Sequence, residues 1–298
     1  MESELRRSVA GAWGLDTGPV AMSRGESIAD WWRRLERAPR SVLMLDFDGT
    51  VAPFVRERMQ AKMYPGVAER LYPLAASPRT RLVVVSGRPA GDFAALLPSD
   101  LHVEIWGSHG RERVTADGVY NAWPLTAAQQ KGLDQLEADM RTRGLGSVVE
   151  KKMGSLAVHT RGFADSDAER IVMLVRDFYA TLITQRSGHA ELELLPFDGG
   201  LELRGIGRSK ATAVASILSE EPAGSPAAYL GDDLTDEEAF AALGARVSDG
   251  ASLGVLVRTQ PRPSAANLWL APPEELLAFL DRWQAAVSRA LTPSEGTR

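Results

Sequence analysis

The chain has 298 residues, 44% of them hydrophobic and 24% charged, with a net charge of -5 and no cysteine. This is an ordinary globular composition, long enough for one large or two ordinary domains. It excludes disulfides, thiolate metal sites and a cysteine nucleophile, and the acidic balance argues against a nucleic-acid footprint. No stretch approaches the roughly 20 apolar residues of a membrane span. The opening MESELRRSVAGAWG has acids and arginines where a secretory signal carries an apolar run, so a cytoplasmic location is the expectation.

Residues 1 to about 25 are rich in Gly, Ser and charge and read as partly disordered. From Ser27, Ile28, Trp31, Trp32 and Leu35 recur near helical spacing, and Pro39 stops the helix. The Trp31-Trp32 pair reads as a helix packing on the core. Val42 to Asp46 is a short buried-type strand, Pro65 to Ala76 a helix, and Leu82 to Val85 a second buried strand ending in Ser86-Gly87-Arg88. A short helix (AGDFAALLP) leads to a third strand, LHVEIWGSHG. Continuous apolar strands alternating with helices predict a parallel sheet in an α/β layer fold.

The middle of the chain changes character. TAAQQKGLDQLEADMRTRG is an amphipathic helix, and SVVEKKMGSLAVHTR alternates with period 2 like a hairpin. DSDAERIVMLVRDFYATLI is a second helix, with Ser166 or Asp167 as its N-cap. AELELLPFDGGLELRG gives two strands around a Gly-Gly turn. The block reads as an α+β unit inserted into the α/β domain. The expected division is an N-terminal extension with one helix (1–40), a core (41–123 and 204–298) and the insert (124–203). The α/β pattern then resumes with helix SKATAVASIL, strand AAYLGDD, helix LTDEEAFAAL, the strand-and-loop stretches GARVSDG and LGVLVR, and a C-terminal helix after Pro272-Pro273.

Ligands of parallel α/β sheets sit beyond the carboxyl ends of the strands. Three such ends carry unusual residues here: Asp46, Asp48 and Thr50; Ser86 and Arg88; and Asp232, Asp233, Thr235 and Asp236. Lys210 opens a helix between them. Carboxylates gathered at one edge repel each other, and an oxygen-rich acid cluster there calls for a hard divalent cation, Mg2+ before Ca2+ for phosphate chemistry. Asp46, Asp48 (through its backbone carbonyl) and Asp232 are the ligand candidates. Such a cation would also neutralise a substrate phosphate, whose other oxygens Lys210 and Ser86 would hold. An aspartate is a competent nucleophile toward phosphorus, and a second aspartate two residues on can handle the proton.

Each fragment alone has a plainer reading: a turn for D-x-D, a loop for Ser86-Gly87-Arg88, a solvated helix start for GDDLTDE, a surface lysine for Lys210. Their joint order carries the argument. LDFDGTV, VVVSGR, Lys210 and GDDLTDEEAF together resemble the four motifs of the haloacid-dehalogenase superfamily of phosphatases. The resemblance implies a HAD-like Rossmannoid core with a cap domain. It implies Asp46 as nucleophile, Asp48 as general acid/base, Ser86, Gly87 and Lys210 as phosphate anchors, and Asp232 and Asp236 beside Asp46 and Asp48 around Mg2+.

SGRP, GSHGRER, VEKKMGSLAVHTR, LELRG and GDDLTDEEAF further resemble the trehalose-6-phosphate phosphatases, over nearly the whole chain after the N-terminal extension. The resemblance implies a sugar-phosphate substrate and, at the sugar, Arg88, His109, Glu150, Lys152 and Glu202. A disaccharide presents many hydroxyls, so carboxylate acceptors and ammonium donors suit its recognition. RGIGRSKATA departs from the family, with Gly205 and Ala211 where a proline-bearing pair and a glycine are usual, and FVRERMQAKMYPG lacks the expected prolines. His159 and Arg161 are expected on the insert's outer face, away from the site. Sucrose phosphate or a glycosyl-phosphoglycerate is the alternative substrate, and a silent sugar-phosphate-binding relative the alternative class. No nucleic-acid or membrane partner is expected, and a monomer is favoured although the sequence does not fix oligomeric state.

Overall fold

A computed structural model of the chain describes residues 28–55, 57–184, 191–197, 199–245 and 251–289. The expected disorder of residues 1 to about 25 lies outside them, as does most of GARVSDG. The described residues form two sheets. The larger contains β1 (Ser41–Leu45), β2 (Thr80–Val85), β3 (Glu104–Gly107), β4 (Glu112–Val114) and β5 (Tyr120–Ala122). The smaller contains β6 (Val149–Lys152), β7 (Ser155–His159), β8 (Leu192–Phe197) and β9 (Gly200–Gly205). β10 (Ala227–Gly231), β11 (Ser252–Val257) and β12 (Leu268–Leu270) return to the larger, whose order is β12-β11-β10-β1-β2-β3-β4-β5. The strands from β12 to β3 are parallel, and β4 and β5 continue antiparallel.

β1 is buried along its whole length, as its unbroken apolar run requires of a strand covered on both faces. Leu43 and Leu45 point into a core shared with α1 (Ile28–Arg37), α2 (Val67–Ala76), α3 (Phe93–Leu96) and, near the C-terminus, Leu276, Phe279 and Trp283. Val42 and Met44 point the other way, toward α6 (Lys210–Ser219) and α7 (Glu237–Ala245), with α4 (Ala127–Thr142) and α5 (Asp165–Thr184) preceding these in the chain. α8 (Glu274–Ser288) completes the first layer, where Trp32 meets Phe279 at 5.1 Å and Trp31 meets Trp283 at 5.6 Å between ring centroids. The tryptophan pair is therefore core, as its spacing suggested.

The smaller sheet is antiparallel, in the order β6-β7-β9-β8. Leu156, Val158, Leu201 and Leu203 on one face pack against Leu133, Leu136 and Met140 of α4 and Ile171 and Val175 of α5. The opposite face keeps its polar residues. Two details differ from the expectation. α5 begins at Asp165, so Ser166 and Asp167 lie in its first turn rather than at its cap, where the acids complement the helix dipole. β4, β5 and β12 are three-residue strands; β4 and β5 are polar and extend the sheet edge, so neither period nor apolarity announced them.

Candidate active site

β1, β2 and β10 end side by side, and the residues following them share one edge of the larger sheet. Asp46, Asp232 and Asp236 are all buried there and each offers an oxygen within 4.8 Å of the others. Lys210, buried at the start of α6, donates to Asp46 Oδ1 at 2.8 Å and to Asp236 Oδ1 at 2.6 Å. Ser209 and Thr212 form a capping box that fixes this helix start, and with it the lysine. Thr50 Oγ1 donates to Asp232 Oδ1 at 3.2 Å, tying the first motif to the fourth.

Asp236 has both oxygens engaged. The Tyr229 hydroxyl and Lys210 reach Oδ1, and the backbone N–H groups of Asp232 and Asp233 donate to Oδ2. Its geometry suits holding the loop and the lysine. Asp232 Oδ2 is different: it is buried and has no hydrogen-bond partner. A buried carboxylate oxygen without a donor is costly. An all-oxygen donor set with one such atom fits a hard divalent cation. Gly49 is shaped to this carboxylate. Its φ is +83°, and a Cβ there would lie 2.2 Å from Asp232 Oδ2.

The electrostatics agree with a site built for added positive charge. Burial pushes the Asp46 carboxyl up to about 7; Lys210 opposes the shift, while Asp236 and Asp48 add to it. Burial, then Asp46 and Asp236, likewise hold Asp232 well above the ordinary carboxylate range. Lys210 is held well above the usual range for lysine, because Asp236 and Asp46 outweigh its burial.

The Asp48 carboxylate stands apart from the cluster. It is gripped bidentately by Arg88, Nε to Oδ2 and Nη2 to Oδ1, each at 2.5 Å. Arg88 is itself buried over the Phe47 ring, and its Nη1 has no partner. Ser86 is buried beyond β2, and its Oγ accepts from the Arg88 N–H at 3.2 Å. His109 occupies the left-handed region at φ 53°, and its ring presses on Gly87, where a Cβ would fall 2.7 Å from Nε2. A larger residue there would have to push the His109 ring aside.

The smaller sheet turns its polar face toward this edge. Glu150, Ala157 and Glu202 are register partners, as are Lys152, Ser155 and Arg204, so all lie on the face opposite the α4–α5 core. Glu202 is buried, accepts from Ser155 Oγ at 2.7 Å and from Lys152 Nζ at 3.3 Å, and lies 3.1 Å from His109 Nε2. Burial would raise its carboxyl, but His109 and Lys152 win and hold it well below the usual carboxylate range. His109 belongs to the loop after β3, so this contact joins the two sheets.

His159 and Arg161 correct the sequence expectation. His159 is paired with Gly200 in the register and so shares the face of Glu202, with Nε2 2.9 Å from Glu150 Oε2. The Arg161 guanidinium stacks 4.9 Å from the Phe54 ring, in the segment after the first motif. The period-2 alternation holds, but its apolar phase faces the insert's own helices, which puts the polar phase inward. Tyr229, Ser155 and Arg58 also touch the expected site residues. Tyr229 sits in an apolar strand and carries no sequence signal; Ser155 could have been found from its shared phase with Lys152.

A parallel sheet with buried acids at its carboxyl edge, faced by an α+β unit, is the architecture of the haloacid-dehalogenase phosphatases. The sequence pattern of the trehalose-phosphatase family matches residues 44–273, and the chain belongs to that family. A Mycobacterium tuberculosis protein named as an uncharacterized glycosyl hydrolase is 32% identical over 87% of this chain, which spans 19% of that protein's length. A trehalose-phosphate phosphatase of Mycobacterium bovis is 31% identical over 82% of this chain and 61% of its own length. The chain thus spans less than two thirds of these relatives. The C-terminal domain of the Candida albicans trehalose-6-phosphate phosphatase superposes with a TM-score of 0.73 at 18% identity, over 91% of this chain and 99% of that one. At that identity the likeness concerns the fold.

Proposed function

We propose that the protein hydrolyses trehalose 6-phosphate to trehalose and phosphate with the help of Mg2+. One observation carries the reading: the buried Asp46–Asp232–Asp236 cluster, with its orphaned Asp232 oxygen, faces a sheet that presents Glu202, Lys152 and Glu150. Family membership supports it.

In this reading the Asp46 carboxylate attacks phosphorus, the bond to the sugar oxygen breaks, and Asp48 gives that oxygen a proton. Asp48 then takes a proton from water as the water attacks the acyl phosphate, which restores Asp46 and frees phosphate. Arg88 orients the Asp48 carboxylate in its ionised form and releases one of its oxygens for the proton that Asp48 gives to the sugar oxygen. Lys210 and Ser86 hold phosphate oxygens, with Gly87 letting the backbone approach. Mg2+, held by Asp46, Asp232 and the Asp48 carbonyl with Asp236 behind them, would offset the charge of cluster and phosphate.

Residues from 124 to the end of β9 at Gly205, two residues beyond the boundary expected at 203, act as the cap over the core, and the helix Ile28–Arg37, expected in an extension, packs into that core. A closed cap excludes bulk water from the site while keeping the one water that Asp48 activates. Among the described residues no helix is long and apolar enough to cross a membrane. A cytoplasmic monomer fits the reading.

Two measurements bear on it. Cation affinity should rise with pH through about 7, because the Asp46 carboxyl is raised to about 7 and the Asp232 carboxyl is also held well above its ordinary range. Without the cation, Asp46 holds a proton below about 7, and the cation must expel it. The rise should reach about tenfold per pH unit for each proton released. Calorimetric titration with Mg2+ on both sides of neutrality checks this, and an affinity that does not change with pH would contradict it.

Glu202→Ala should raise KM for trehalose 6-phosphate at least about tenfold more than for a small phosphate ester, because a disaccharide loses a buried acceptor that the ester never used. Equal changes for both substrates would remove Glu202 from the sugar side.

A further inference from the structure

Arg58 lies in the segment between the first motif and α2, where it opens a single 3-10 turn, Arg58–Gln60. Its Nη2 donates to Asp92 Oδ2 at 2.8 Å. Asp92 closes the turn that follows the second motif. The other guanidinium nitrogen, Nη1, meets Glu150 Oε1 on β6. The second Glu150 oxygen lies 2.9 Å from His159 Nε2. One planar guanidinium therefore joins two loops of the core to the smaller sheet, on the face that carries Glu202. Phe54, four residues before Arg58, takes the Arg161 guanidinium on its ring and makes a second contact between the same segment and the same face.

We propose that Arg58 is a positioning residue for substrate selectivity, fixing the Glu150 carboxylate in the direction from which it accepts sugar hydroxyls. The proposal rests on the reading that the sugar lies between the core and the smaller sheet. A partly exposed ion pair contributes little to stability, so stability alone does not explain a guanidinium shared by three segments. Orientation does. A carboxylate at the end of a flexible side chain has many rotamers, and Arg58, itself held by Asp92, removes most of them before the substrate arrives. The fork geometry matters as well as the charge, since its two terminal nitrogens reach two different acids. FVRERMQAKMYPG, which departs from the family's pattern after the first motif, thereby acquires a role in this chain.

The test compares hydrolysis of trehalose 6-phosphate and p-nitrophenyl phosphate by the wild type, Arg58→Ala, Arg58→Lys, Glu150→Ala and the Arg58→Ala/Glu150→Ala double variant. Arg58→Ala should lower the ratio of the two kcat/KM values about fivefold, mostly through KM of the sugar phosphate. Arg58→Lys should recover part of that loss, and Arg58→Ala should add nothing to Glu150→Ala. An unchanged ratio in Arg58→Ala overturns the proposal, as does full additivity in the double variant. A wild type that cleaves the ester but not trehalose 6-phosphate overturns the substrate reading and this proposal together. A wild type that cleaves both, with Glu150→Ala selective and Arg58→Ala not, overturns this proposal alone.

Discussion

Asp46→Asn should reduce turnover at least about a thousandfold while trehalose 6-phosphate still binds. The amide matches the carboxylate in size but cannot attack phosphorus. Folding should survive, because the substitution removes one negative charge from a buried cluster in which Asp232 and Asp236 already repel it. Calorimetric binding together with phosphate release checks both halves. Near-normal turnover would rule out attack by Asp46.

Lys210→Met should have the largest effect on stability. The lysine is the cation between Asp46 and Asp236, all three are buried, and both bonds are short. Methionine fills much the same volume and leaves two buried carboxylates without their cation. Breaking a buried pair in this way costs about 3–5 kcal/mol, which lowers the melting temperature of a chain this size by about 10 °C. Adding Asp236→Asn should return part of the loss, since it removes one of the stranded charges. A melting temperature within about 2 °C of wild type in Lys210→Met would show that the lysine is not the counter-charge of the cluster. The same variant should lose phosphate binding, because no other ammonium lies between Asp46 and Asp236 among the described residues.

The sequence made the sheet legible because β1, β2 and β10 are continuous apolar runs that stop abruptly in acids or Ser-Gly. Where a strand stops, its next residue is delivered to the sheet edge, so Asp46, Ser86 and Asp232 could be placed together before any contact was known. Lys210 needed more. Its helix start was readable, but only the fold brings residue 210 within 3 Å of residues 46 and 236. β4, β5 and β12 leave no sequence signal, because three residues carry no usable period. The inward turn of His159 is illegible for another reason. Period 2 says which residues share a face, but not which face the helices cover.

The Arg88 grip on Asp48 was also invisible in one dimension. D-x-D and SGR each read as ligands, and their pairing depends on β1 and β2 being neighbours in register. The clearest lesson comes from Glu202. A glutamate in the middle of an apolar strand has an ordinary reading as a solvated position, yet it is buried with Ser155, Lys152 and His109 around it. An isolated buried carboxylate would be expensive, and here three partners, one of them from the core, offset that cost.

The most direct test is release of inorganic phosphate from a panel of trehalose 6-phosphate, sucrose 6-phosphate, glucose 6-phosphate and a glycosyl-phosphoglycerate, with and without Mg2+. Trehalose 6-phosphate should be preferred by at least about a hundredfold in kcat/KM, and release should vanish when the cation is chelated. Comparable release from the phosphoglycerate or sucrose substrate, or undiminished release after chelation, would contradict the proposed function.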